Sequence, residues 1–139
     1  MEFYKSIGKI QYMGKAANTP FAFRYYDPEA LISGKTMRQH LRFAMSWWHT
    51  MCAGGTDMFG GDTLDKNYGL SDPMELAVNK VYAAFELMDK LDIDYFCFHD
   101  RDISPEAETL AETNRRVDVV TEVIEKEMIR TGKKLLWGT

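Results

Sequence analysis

His99 and Asp102 stand three positions apart, directly after the aromatic run Tyr95-Phe96-Cys97-Phe98. An imidazole titrates near neutrality and can carry protons to and from an oxygen atom, and a nearby carboxylate can fix its tautomer and orientation. A histidine merely satisfied by a local carboxylate at a strand end fits the same spacing, and the spacing does not choose between the two. Trp47-Trp48-His49 offers a flat apolar wall with a polar edge, which suits the carbon face of a sugar. Adjacent side chains on a strand point to opposite faces, so one tryptophan can look into a site while the other packs. His49 as a metal ligand lacks an Asp, Glu or His partner at a spacing for joint coordination. Asp57, Asp62, Asp65 and Asp72 do not match a calcium loop and read as loop and cap residues. Glu106, Glu108, Glu112, Glu122, Glu125 and Glu127 read as the solvated faces of a helix, several placed to pair with Arg or Lys.

Such residues need elements that bring them together. Leu41 to Trp48 is a short run rich in large apolar residues, ended by a glycine-bearing stretch, and reads as a first buried strand. Residues 52–69 hold Gly54, Gly55, Gly60, Gly61 and Gly69 and form a long loop, a class of segment more often functional than idle. Asp72-Pro73-Met74-Glu75 carries a cap, a first-turn proline and a glutamate three residues after the cap, so a helix begins there. Its stripe, Met74, Ala77, Val78, Val81, Phe85 and Met88, has helical spacing and faces a core. Tyr95 to Phe98 is a second strand, and His99-Asp100-Arg101-Asp102 marks its emergence at a surface. A second helix is predicted to start at Ser104-Pro105-Glu106, to bury Leu110, Val117, Val120, Ile124 and Met128, and to end at Gly132. Lys134-Leu135-Leu136-Trp137 is a third strand, after which the chain is expected to stop in mid-fold.

Strand, helix, strand, helix, strand is the pattern of a parallel α/β architecture, doubly wound or barrel, with chemistry at the carboxyl ends of the strands. No glycine fingerprint for a dinucleotide or nucleoside triphosphate follows a strand, which favours part of a barrel. Residues 1–34 mix aromatics with Gly, Asn and Pro without a sustained period, and read as an extended amino-terminal arm ahead of a partial barrel domain over 35–139. Asn18-Thr19-Pro20 and Asp27-Pro28 are its turn signals, and Phe21, Phe23, Tyr25 and Tyr26 could anchor it to the body or to a neighbouring subunit.

With 45% hydrophobic residues the 139-residue chain can build a sizeable core, so it is no disordered tail. Seventeen basic against 21 acidic residues, with no Lys/Arg block, exclude the footprint of a nucleic-acid binder. Cys52 and Cys97, each beside apolar or aromatic residues, are expected as buried free thiols in a reducing compartment. Neither a basic segment followed by an apolar stretch at the start nor a bilayer-length apolar run occurs, so a cytoplasmic protein with no membrane partner is expected.

Four ordered blocks then carry a resemblance: His40-Leu41-Arg42-Phe43-Ala44 running into Trp48-His49-Thr50; Asp57-Met58-Phe59-Gly60; Phe96-Cys97-Phe98-His99-Asp100-Arg101-Asp102; and Lys134-Leu135-Leu136-Trp137-Gly138-Thr139. Together they resemble xylose isomerase, in the class with the longer amino-terminal arm, from about residue 3 to the last residue. The resemblance implies the first part of a (β/α)8 TIM barrel that interconverts D-xylose and D-xylulose, and D-glucose and D-fructose, in a homotetramer. It implies that His99 assists ring opening, that Asp102 orients it, that Trp48 walls the substrate and that Phe59 reaches into the site of a neighbouring subunit. Ala53 stands where some relatives have a further tryptophan. The resemblance also implies a divalent metal, Mg, Mn or Co, which mediates a hydride shift, with its ligands and the catalytic lysine beyond this chain and none among its own residues. A complete barrel takes about 250 residues, so the chain alone is expected to be inactive. The rival expectation is a non-catalytic barrel fragment that acts only as a structural or assembly piece.

Overall fold

The computed structural model describes residues 2–56 and 58–139, so Asp57, expected as a loop carboxylate, lies outside the described residues. Leu31–Ile32 (β1) and Lys35–Thr36 (β2) pair as an antiparallel hairpin. Ser33 and Gly34 turn it with φ of 51° and 79°, the doubly left-handed geometry that matches strand twist. Thr36 and Gln39 form a reciprocal cap on the single helical turn Met37–His40 (α1). Ala44–Ser46 (β3) is followed at once by a turn of π-helix, Trp48–Cys52. The first strand is therefore shorter than the Leu41–Trp48 run predicts, because the chain coils as soon as Trp47 has entered the core.

Pro73–Leu91 (α2) starts as expected: the Asp72 carboxylate accepts the Glu75 N–H at 2.7 Å and Pro73 occupies the first turn. Asp92, left-handed at φ 58°, ends it. Tyr95–Phe98 (β4) leads into one helical turn, Asp100–Ile103 (α3), then Leu110–Thr131 (α4) and Lys134–Gly138 (β5). The second long helix thus begins five residues later than Ser104-Pro105-Glu106 suggests, with Thr109 in place of Ser104 as its cap. The Ser104 N–H is already bonded to the Asp100 carbonyl, closing α3, and Pro105 holds Ser104 extended. Thr109 supplies the cap instead, accepting the Glu112 N–H at 3.3 Å. Gly132 ends α4 at φ 73°, where a side chain would be strained.

The strands β3, β4 and β5 lie parallel with β4 in the middle, so the structure is mixed α/β with helices joining parallel strands. Val81, Ala84, Phe85 and Met88 of α2, with Val120 and Ile124 of α4, bury in one core with Met45 and Phe96 of the sheet and Trp47 just after β3. Phe85 meets Phe96 edge-on at 5.4 Å, and burying each ring contributes about 1.5–3 kcal/mol. Three expectations fail here. Leu110, placed on the buried stripe, stands exposed because the later helix start puts it in the first turn. Glu127, assigned to a solvated face, is 8% exposed: it follows Ile124 by three residues on the core side, and Arg130 satisfies it at 2.6 Å. Cys52, expected to be buried, is exposed, while Cys97 is buried; both are free thiols.

Residues 2–30 contain no helix or strand beyond one bridge between Tyr12 and Phe23. Two α2 side chains hold their beginning. The Glu86 carboxylate accepts the N–H groups of Phe3 and Tyr4 at 2.7 and 3.0 Å, and Lys90 Nζ donates to the carbonyls of Tyr4 and Ile7, both at 2.6 Å. Burial pushes the Glu86 carboxyl upward, but the two N–H donors and Lys90 outweigh it and hold it below its ordinary value.

Candidate functional site at the carboxyl ends of the strands

All three strands of the parallel sheet deliver an aromatic ring or an imidazole to the same end. His99 directly follows β4 and caps α3; its backbone N–H donates to Asp102 Oδ2 at 2.8 Å and its ring Nδ1 donates to the same oxygen at 2.8 Å. Asp102 is well covered while His99 remains about half exposed, so a fixed carboxylate holds a ring that solvent or a ligand can reach. The single turn of α3 makes this possible, because it puts residues 99 and 102 on one face.

The Trp48 ring lies 4.8 Å from His99, and Trp137 of β5 lies 5.5 Å from Trp48 and 5.4 Å from His99. Trp47 turns the other way and is fully buried against Phe96 and Phe98, each at 6.2 Å. The two tryptophans part company, Trp47 into the core and Trp48 beside His99, and the π-turn divides them rather than strand alternation. The sequence pattern marks β5 as a strand but does not mark Trp137 as a site residue. The signal for it is positional: a ring near the carboxyl end of a parallel strand sits level with the residue that ends its neighbour. Trp137 pairs with Cys97 and Gly138 with Phe98, and a Cβ at Gly138 would come within 3.0 Å of the Phe98 ring, so glycine lets β5 close up here.

The glycine loop is built at its neck. The Gly54 carbonyl accepts the N–H groups of Thr63 and Leu64 at 3.0 and 2.9 Å, and a Cβ at Gly54 would lie 2.4 Å from the Asp62 carboxylate. Met58 and Phe59 stand 89% and 88% exposed beyond that neck. Cys52, at the end of the π-turn, donates its thiol to the Asp102 carbonyl at 3.2 Å; although the residue is exposed, partial desolvation of its sulfur raises its pKa.

No family model matches the chain. Along all of its residues, however, it is 48% identical to the xylose isomerase of Thermoanaerobacter sp. (strain X514), 48% to that of Tetragenococcus halophilus and 45% to that of Bacillus spizizenii. Over its whole length the chain matches the amino-terminal third of xylose isomerases. The chain spans about a third of the length of the curated relatives it matches, 31–32%, in their amino-terminal part.

Among the described residues, no three His, Cys, Asp or Glu side chains gather closely enough to hold a cation. His49 packs its ring 5.6 Å from Trp48. Asp62 serves the loop neck, where the Thr56 hydroxyl donates to it at 3.3 Å, and Asp65 accepts the Asn67 N–H at 2.8 Å. These residues do not fit a divalent metal site.

Proposed function

We propose that this chain supplies the sugar-side proton chemistry of a xylose isomerase, an aldose–ketose isomerase acting on D-xylose and, in the same way, on D-glucose. The observation that carries the reading is the bond from His99 Nδ1 to Asp102. With Nδ1–H committed to the carboxylate, Nε2 is the nitrogen left with a lone pair, and it belongs to a half-exposed ring beside two tryptophans. Nε2 takes the proton of the anomeric hydroxyl as the ring carbon–oxygen bond opens, the ring oxygen regains a proton from solvent, and Asp102 stabilises the imidazolium that forms. Trp48 and Trp137 present apolar faces to the sugar carbons and keep water from that side.

In this reading the three parallel strands open a (β/α)8 barrel preceded by an arm over residues 1–34, and Phe59 reaches from its loop into the site of a neighbouring copy within a homotetramer. Support for the Phe59 role is its 88% exposure on a loop with a constrained neck. A divalent metal, Mg, Mn or Co, would serve the isomerisation from residues outside this chain, whose own side chains take no part in that step. A cytoplasmic setting agrees with the absence, among the described residues, of a helix long and apolar enough to cross a membrane.

The test is His99→Ala in the complete metal-loaded enzyme. Turnover of xylose is expected to fall by about 10²–10⁴, the usual range for a lost general acid–base group, with metal affinity nearly unchanged. Loss of metal binding in that variant, or full turnover, would refute the role.

A further inference from the structure

We propose that Lys66 is a positioning residue for the sugar wall: it grips the carbonyl end of the π-turn and so sets Trp48 against His99. The inference rests on the sugar-site reading above. Lys66 Nζ donates to the carbonyls of Thr50 and Ala53 at 2.8 and 2.6 Å. Thr50 lies two residues after Trp48, and at Ala53 the chain leaves the turn in an extended conformation, φ −62° and ψ 123°. Carbonyls at such an end have no partner within the turn, and π-helical turns persist only where surroundings fix them. An ammonium group carries three donors without a fixed plane, so it can serve two carbonyls that point differently.

Three ties hold the turn. Met51, 1% exposed, anchors it in the core; Cys52 ties it to the Asp102 carbonyl; and Lys66 ties it to the glycine loop. The first two come from the body that also holds His99 and Asp102. Lys66 alone of the three comes from the loop, three residues past Thr63, whose N–H closes the loop's neck on Gly54. A displacement of that neck therefore reaches the Trp48 turn along two routes, the backbone from Gly54 through Ala53 and the Lys66 ammonium. At the neck only glycine fits without a shift, since a Cβ at Gly54 would strike Asp62 and Gly55 sits at φ 65°.

Lys66→Met and Lys66→Arg in the complete metal-loaded enzyme test this, with two readouts. Sugar binding is the first. Lys66→Met is expected to raise KM about tenfold, equivalent to ~1.4 kcal/mol of lost wall contact, with kcat changed little, and Lys66→Arg is expected to restore most of it. The second is the circular-dichroism couplet of the Trp48–Trp137 pair, 5.5 Å apart at 34°, which Lys66→Met should weaken and Lys66→Arg retain, with Trp137→Phe as the blank. An unchanged KM together with an intact couplet overturns the proposal. So does an equal loss in both variants with a lowered melting temperature, the mark of a merely structural lysine. The couplet does not depend on catalysis. If His99→Ala leaves turnover intact, the sugar-site reading fails on its own while the couplet still decides the placement of Trp48.

Discussion

Residues 2–30 and the carboxyl ends of the strands both depend on charged side chains set next to aromatic rings, but they use them in opposite ways. On α2, Glu86 and Lys90 are consumed by structure: the carboxylate takes two backbone N–H groups and the ammonium, while Lys90 takes two carbonyls and the Glu2 carboxylate. Nothing is left over for a ligand, and the pair serves to hold a segment that has almost no regular structure of its own. At the strand ends Asp102 is equally committed, to the N–H and Nδ1 of His99, yet the imidazole keeps a second nitrogen and half its surface open. The contrast teaches that full satisfaction of polar groups marks an anchor, whereas a satisfied partner holding a half-satisfied one marks a place for chemistry.

Four outcomes would break or sharpen that contrast. The largest belongs to the strand ends: Asp102→Asn in the complete enzyme should lower kcat by about 10²–10⁴-fold, because the imidazole stays but loses its charge partner and its fixed tautomer. Equal losses in steady-state assays would show that the two act as one unit. Next, Glu86→Gln should cost about 1–3 kcal/mol in denaturant unfolding and leave catalysis alone, since it weakens hydrogen bonds made to a charged group. The folded-state pKa of Glu86 lies below its ordinary 4.5, so its contribution is present above that value and is lost as pH falls through the lower folded-state value. Acid titration of the parent and the Gln variant should therefore converge; parallel curves would place the anchor elsewhere.

Phe59→Ala should leave the melting temperature unchanged, because the ring is 88% exposed, while reducing activity several-fold, about the loss of one desolvated ring contact. Unchanged kinetics would remove the loop from the proposed neighbouring site. The smallest effect is expected at Glu112, whose bonds to Arg115 and then Arg116 hold its carboxyl at about 2. It lies on the open face of α4, so Glu112→Gln should give no measurable change in melting temperature at neutral pH, and a clear drop would mean that surface pairs here do more than exposed pairs ordinarily do.

The amino-acid order by itself determined the parallel strand–helix rhythm, the start of α2 and the left-handed end of α4, because caps, proline and glycine act within a few residues of where they stand. It also placed His99 and Asp102 at the end of β4, since an apolar run followed by four polar residues is a local signal. The tertiary structure decided the rest. Ser104-Pro105 lost the helix start to Thr109 because the Ser104 N–H had a nearer use in α3. Glu127 went inward because its place on the helix relative to Ile124 outweighed its charge once Arg130 could pair with it. Trp137 joined Trp48 and His99 because strands far apart in sequence are brought level by their register, which no window of neighbouring residues encodes.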